Sequence, residues 1–358
     1  MWITALVGMA TKYAEVVLAV HYRELDERGR AMGGPMYAIK NGLGARWAWL
    51  GTAFALFGGL AGFGIGNMVQ ANTTASALGN TFGLDSTVVG VGIFAVTAAV
   101  TLGGIRRIGA VANRLAPFMI VAYIAAAAAV LIMHAPDIPA AFVMIVQSAF
   151  SPTAAVGGFT GAAIMAAIRY GVARGIFSNE AGLGTAGIAQ AAGRSASPVQ
   201  SGMIGMTGTF IDTIIVCTMT ALVIIITNQH VVGGADGVQL TSNAFATVGS
   251  WMPYALAVVV LLFAFSTTIT WGYYGAKACS FLFRESKVAL YGFKVFYLAA
   301  AVVGCTMPLG SIVDIADALL FIMAIPNLVG VYLLMPVVKR ELQGYLARLR
   351  SGEIRPTC

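Results

Sequence analysis

Between Arg174 and Thr185 the chain reads Arg-Gly-Ile-Phe-Ser-Asn-Glu-Ala-Gly-Leu-Gly-Thr. Three glycines, a serine hydroxyl, an amide and a carboxylate stand where neighbouring segments are mostly alanine, valine and isoleucine. Such a stretch should break a helix, and main-chain groups freed inside lipid each cost several kcal/mol, about 2–7 for a polar group without a partner. They are tolerated where they line a cavity or hold a ligand. Freed amides of Gly175 to Asn179 would suit a carboxylate at a half-helix N-terminus, and freed carbonyls would suit a cation. Arg169 and Arg174 precede the break and Glu180 follows it. At this depth such charges must face water, a ligand or each other. The plainer alternative is a structural kink.

Other polar groups sit in apolar surroundings. Lys12 and Glu15 lie three apart, hence on one helix face, as a neutral buried pair that either gates or locks packing. Asn67, Gln70 and Thr74 recur at helical spacing behind a run of glycines. Gln70 donates and accepts, which suits a zwitterion, or serves as glue between helices. Ser266-Thr267-Thr268-Ile269-Thr270-Trp271 offers hydroxyl oxygens, the ligands of a hard cation. Clustered hydroxyls of this kind also bond back to their own helix. Trp271 would wall a small pocket or simply pack. Asp212, Asp314 and Asp317 are further candidates for an ion or proton route. No catalytic set, phosphate loop or metal-ligand spacing is present, and the four cysteines are scattered. The chain therefore reads as a non-enzyme without an organic cofactor.

The elements that must position these groups are membrane helices. Charged residues are 10% of the chain, against about 25% in soluble domains. Nine apolar spans are expected, near 2–20, 47–78, 86–104, 112–133, 156–190 (interrupted), 199–227, 252–283, 289–307 and 312–338. Pro326 and Pro336 should kink or end the last one. Basic residues fall in every other connection: 21–46, then 106–114, then Arg194, then 277–294, then the tail from Lys339. This alternation places the basic connections and the C-terminus in the cytoplasm. It also accounts for the net charge of +7 without a nucleic-acid partner. Met1 opens directly on a span, and nine spans do not divide into equal halves. The expectation is that the first of two repeats is incomplete.

Four segments, Lys12–Glu15, Gly33–Tyr37, Gly64–Asn72 and above all Gly175–Gly184, resemble the alanine or glycine:cation symporter family over essentially the whole chain. The resemblance implies an all-α, polytopic fold of two inverted five-helix repeats. The first repeat would cover about 1–133 and lack its N-terminal spans, among them a broken helix, and the second would cover about 152–338. A cytoplasmic tail, 339–358, would follow. It implies Na⁺-coupled, or H⁺-coupled, symport of alanine or glycine by alternating access across the cell membrane, in contact with lipid. Gln70, Ile176, Phe177, Ser178, Asn179 and Gly182 would contact substrate, with Ile176 to Gly182 at the unwound centre. Trp271 would cap the substrate side chain, and Thr267 and Thr268 would supply part of a sodium site. Lys12, Glu15 and Glu180 would be gating charges. The runner-up reading is a non-transporting or channel-like membrane protein that needs a partner chain.

Overall fold

The computed structural model describes residues 1–26, 29–150, 160–195, 197–232 and 237–354. Positions 156–159 of the expected interrupted span, and Arg28, Arg355 and Cys358, lie outside the described residues. The rest is all-α apart from one short hairpin. In chain order the helices are α1 (Trp2–His21), α2 (Pro35–Leu43), α3 (Ala48–Phe63), α4 (Val69–Phe82), α5 (Ser86–Thr101), α6 (Gly104–Met133), α7 (Ile138–Phe150) and α8 (Thr160–Asn179). Then come α9 (Thr185–Ala192), α10 (Pro198–Thr209), α11 (Cys217–Ile226), α12 (Gly237–Ala246), α13 (Met252–Leu282), α14 (Lys287–Thr306), α15 (Leu309–Leu333) and α16 (Met335–Arg350). Strands β1 (Glu24–Leu25) and β2 (Ala31–Met32) pair antiparallel between α1 and α2.

Among the described residues seven helices are long and apolar enough to cross a membrane. They match seven of the nine expected spans. The expected span 86–104 is α5, 16 residues long. At 1.5 Å per residue it reaches about 24 Å, short of a 30 Å hydrocarbon core. The interrupted span is α8 and α9 with a break between them. The last span ends at Leu333, and Pro336 sits in the first turn of α16, where its missing N–H costs nothing. The expected boundary at 338 therefore falls inside α16.

Two of the long spans carry a wider, π-type turn. One, Gly64–Met68, joins α3 to α4, and the other, Phe210–Val216, joins α10 to α11. Such turns shift which residues face inward, and they recur at functional sites. Ends are set by local chemistry. Asp85 caps α5 by accepting from the amides of Thr87 (2.8 Å) and Val88 (3.3 Å), and these bonds hold its carboxyl below the usual range. Ser197 caps α10 in the same way.

Helix α13 is the structural centre. It packs against α3, α4, α6 and α14, while α15 lies on α3 and α14 on α5. Helix α1 packs on α8, α9 and α10. The main core gathers Phe54, Leu183, Ile269, Trp271, Ile312 and Met323, all buried. Close approach is bought with small residues. A Cβ on Gly304 of α14 would sit 2.6 Å from the Met68 Cα, whereas Gly292 on the same helix faces open space.

Gly304→Ala should therefore force α14 off the Gly64–Met68 turn and lower the apparent melting temperature of the purified protein. Gly292→Ala should be neutral or raise stability by about 0.5–1 kcal/mol, because alanine is the better helix former. Thermal unfolding of the two variants side by side checks this.

Candidate functional site

Helix α8 stops at Asn179, and the chain leaves helical geometry for five residues, Glu180 to Gly184, before α9 begins. Backbone φ is +53° at Glu180, +91° at Gly182 and +71° at Gly184. Glycine takes such angles without penalty. Glu180 does not, and a non-glycine residue held there costs about 1–2 kcal/mol. Its side chain offsets this. Oε1 accepts from Trp271 Nε1 (2.8 Å) and Oε2 from Thr185 Oγ1 (2.7 Å).

The break thus lies one turn later than the sequence suggests. Ile176, Phe177, Ser178 and Asn179 belong to the last turn of α8, and the Glu180 amide still bonds to the Ile176 carbonyl at 2.8 Å. Only Gly182 of the expected substrate residues is in the unwound part. The reason lies at Gly175. A Cβ there would fall 2.1 Å from Thr4 Oγ1, so this glycine serves the contact between α8 and α1, not unwinding.

Both ends of the break are held by buried side chains. Lys12 Nζ donates to the Asn179 carbonyl (2.7 Å), at the negative end of α8. Glu15 Oε1 accepts from the Gly184 amide (3.1 Å), at the positive end of α9. Asn327 Nδ2 donates to Glu15 Oε1 (2.5 Å) and to the Gly182 carbonyl (2.8 Å). Lys12 and Glu15 are only 6% and 3% exposed, so each charge needs its partner. They were expected to pair with each other. Instead each takes one end of the break, because the helix ends already carry the opposite partial charges.

Trp271 is 2% exposed and spans from Glu180 to the Gly64–Met68 turn. A Cβ on Gly66 would lie 2.1 Å from the Trp271 Cβ. The Tyr297 hydroxyl lies 2.9 Å from the Thr268 carbonyl and 3.2 Å from the Gly66 carbonyl, tying α14 to the same turn. Asn67 donates to the Tyr297 carbonyl, and Gln70 Nε2 to the Ile65 carbonyl (3.2 Å). Gly66, Trp271 and the break are thereby brought together, while the Gln70 side chain bonds back to the Gly64–Met68 turn of its own span. The side-chain hydroxyls of Thr267 and Thr268 are not drawn into this network. Their hydroxyls donate to the carbonyls of Phe263 (3.0 Å) and Ala264 (2.9 Å) on their own helix. A hydroxyl that donates its proton this way keeps lone pairs that can face a cation.

A cavity of about 1190 Å³ approaches from the end rich in basic residues. Exposed Arg106 lines it, with Arg30, Arg194 and Lys277, and its floor includes Thr270, Gly272 and Tyr297. Trp271 lies between two of these floor residues and is sealed from the cavity. On the other side of the break, Arg174 pairs with Asp317 of α15 and lies 4.9 Å over the Phe177 ring. Arg174 is five residues, about 7.5 Å, before the end of α8. Ser178 turns away from the break and donates to Asp212. Arg169 and Asp314 are in none of these networks.

The sequence matches the sodium:alanine symporter family over residues 1–357. The chain belongs to that family. It is 43% identical over 99% of its length to the "Sodium/alanine symporter AgcS" of Methanococcus maripaludis, covering 78% of that protein. It is 36% identical over 99% of its length to the "Probable sodium/glutamine symporter GlnT" of Bacillus subtilis, covering 72% of it. The "Amino-acid carrier protein AlsT" of the same organism is 36% identical over 98% of the chain, which covers 74% of it. This symporter-family protein is therefore a polytopic membrane transporter homologue, not an enzyme, and family membership supports Na⁺ as the coupling ion.

Sequence reasoning missed Asn327 and Tyr297. Asn327 carried a signal: an amide beside Pro326 in the middle of an apolar span. Tyr297 carried none, because tyrosine is unremarkable in a membrane helix.

Lys12→Met leaves the buried Asn179 carbonyl without its donor, and Asn327→Leu strips donors from Gly182 and Glu15. Each should cost about 1–3 kcal/mol. Thermal unfolding in detergent checks the cost, and a double variant that loses no more than one single variant would confirm that the two act on one element.

Proposed function

We propose that this protein carries a small neutral amino acid, alanine or glycine, together with Na⁺ across the cell membrane by alternating access. The observation that carries the reading is the Glu180–Gly184 break, fixed at both ends by Lys12, Glu15 and Asn327 and joined to Trp271 through Glu180. Unwound backbone inside a membrane protein, held at both ends by buried side chains, is suited to gripping the charged ends of a zwitterion. Gln70, Ile176, Phe177, Ser178, Asn179 and Gly182 are its proposed surroundings. Trp271 limits the substrate side chain, and Thr267 and Thr268 supply oxygens to Na⁺, with H⁺ as the other candidate ion. Lys12, Glu15 and Glu180 act by holding the break. The fold is proposed as two inverted five-helix repeats, nine spans of which lie in this chain, about 1–133 and 152–338, with the basic end and tail cytoplasmic.

In this reading the structure faces inward. The basic cavity reaches Tyr297 next to Trp271, while the Arg174–Asp317 pair closes the opposite side. Na⁺ and substrate would be coupled by favouring the same conformations. AgcS and GlnT carry alanine and glutamine in their names, side chains of very different size. That contrast is consistent with a choice of substrate made at the side-chain end of the site, where Trp271 is proposed to sit.

Labelled alanine should accumulate in vesicles containing the reconstituted protein when an inward Na⁺ gradient is imposed, and no uptake would sink the reading. Trp271→Ala should admit serine, valine or leucine; continued exclusion of all three removes Trp271 as the lid. Thr268→Ala should raise the half-saturating Na⁺ concentration, and an unchanged sodium curve removes it from the ion site.

A further inference from the structure

We propose that Asp212, Ser178 and Thr213 form a second Na⁺ site, separate from the Thr267–Thr268 pair, that sets the end of α8. The proposal rests on the symport reading above and deepens it. Three hard oxygens meet here from two helices. Ser178 Oγ donates to Asp212 Oδ2, Thr213 Oγ1 lies 3.3 Å from the same oxygen, and the two hydroxyls are 3.4 Å apart. Oxygens at right angles about a cation with bonds of about 2.4 Å stand about 3.4 Å apart. Two edges of the triangle already have that length, and the third is bridged by a hydrogen bond.

The charge balance points the same way. Asp212 belongs to a helix that crosses the membrane by length and composition, yet no lysine or arginine lies within 4 Å of it among the described residues. Lys12 on the neighbouring α1 is the cation that acts on Asp212 from a distance, but its one charge is shared with Glu15 and its ammonium hydrogen-bonds the Asn179 carbonyl. Glu180 adds a second negative charge nearby, and Cys217 Sγ, 3.2 Å from Ser178 Oγ, is a neutral neighbour. A carboxylate so placed needs a countercharge, and oxygen donors select a hard cation over a soft one.

Local backbone fits this role. Asp212 and Thr213 lie in the π-type turn Phe210–Val216, which brings both side chains to Ser178. Thr209, four residues before Thr213, has a buried hydroxyl with no hydrogen-bond partner among the described residues. Ser178 immediately precedes Asn179, whose carbonyl Lys12 holds. An ion at Asp212 would therefore order the last turn of α8 and, with it, the break. That is a direct physical route by which Na⁺ and amino acid raise each other's affinity.

The test is equilibrium binding of ²²Na⁺ and of labelled alanine to the purified protein, compared with Asp212→Asn, Thr213→Val and Thr268→Ala. Asp212→Asn, which keeps the shape, should bind one Na⁺ fewer than wild type and lose the enhancement of alanine binding by Na⁺. Thr213→Val keeps the carboxylate and should weaken Na⁺ binding at this site about tenfold. If Asp212→Asn keeps the full Na⁺ complement, the proposal falls; a proton, not Na⁺, then neutralises Asp212. If Asp212→Asn does not fold, Thr213→Val decides, and an unchanged affinity overturns the site. Wild-type protein that binds alanine but no Na⁺ overturns the symport reading as well, whereas loss confined to Thr268→Ala overturns this site alone.

Discussion

A helix broken inside lipid exposes main-chain donors and acceptors to a medium that cannot hydrogen-bond them. That constraint governs the whole arrangement. The carbonyl that ends α8 and the amide that starts α9 are two of these groups, and they carry opposite partial charges. A buried lysine meets the first and a buried glutamate the second. Both come from α1, three residues apart, so one rigid helix fixes the width of the gap. Asn327 joins the glutamate to the middle of the break and brings α15 into the same assembly. Removing any member leaves a buried group without its partner, so the three residues form one connected assembly.

Trp271 performs the matching task on the other flank. Its ring packs where Gly66 provides room, and its N–H reaches Glu180, the residue forced into an unfavourable backbone angle. The Trp271–Glu180 hydrogen bond thus serves both residues, satisfying the buried indole N–H and, with the bond from Thr185, holding Glu180 in its backbone angle. Tyr297 then ties the backbone of α13 to the turn that makes the room. Four separate elements, α4 with its preceding turn, α13, α14 and the α8–α9 break, are positioned by polar contacts within an otherwise apolar core. Apolar packing is non-directional, whereas these bonds set angle and register.

Much of this was legible in the chain. The helical spans followed from apolar runs, and the break was visible in Gly175–Gly184 because glycines and polar groups are out of place there. Its position was misread by one turn, since glycine serves two purposes that sequence does not separate. Gly175 allows a neighbour to approach, while Gly182 and Gly184 allow positive φ. Lys12 and Glu15 were visible as buried charges, but spacing on one helix suggests a mutual pair, and the competing partners lie some 170 residues away. Ser178 and Asp212 are 34 residues apart on different helices. No local pattern announces such a meeting, because it is created by how α8 crosses the π-type turn.

The two faces of the break are not equivalent. Towards the basic end the large cavity is lined by Tyr297, and the buried Trp271, whose N–H bonds Glu180, does not line it. Towards the other end Arg174 and Asp317 are paired and partly exposed, joining α8 to α15. Aromatic packing and a partly solvated ion pair are both closures of modest strength, the second worth about 0–1 kcal/mol when exposed. The clamp of Lys12, Glu15 and Asn327 is buried and far harder to open. The clamp is therefore the most persistent part of this assembly, while the Arg174–Asp317 contact between α8 and α15 is the one that opens most readily.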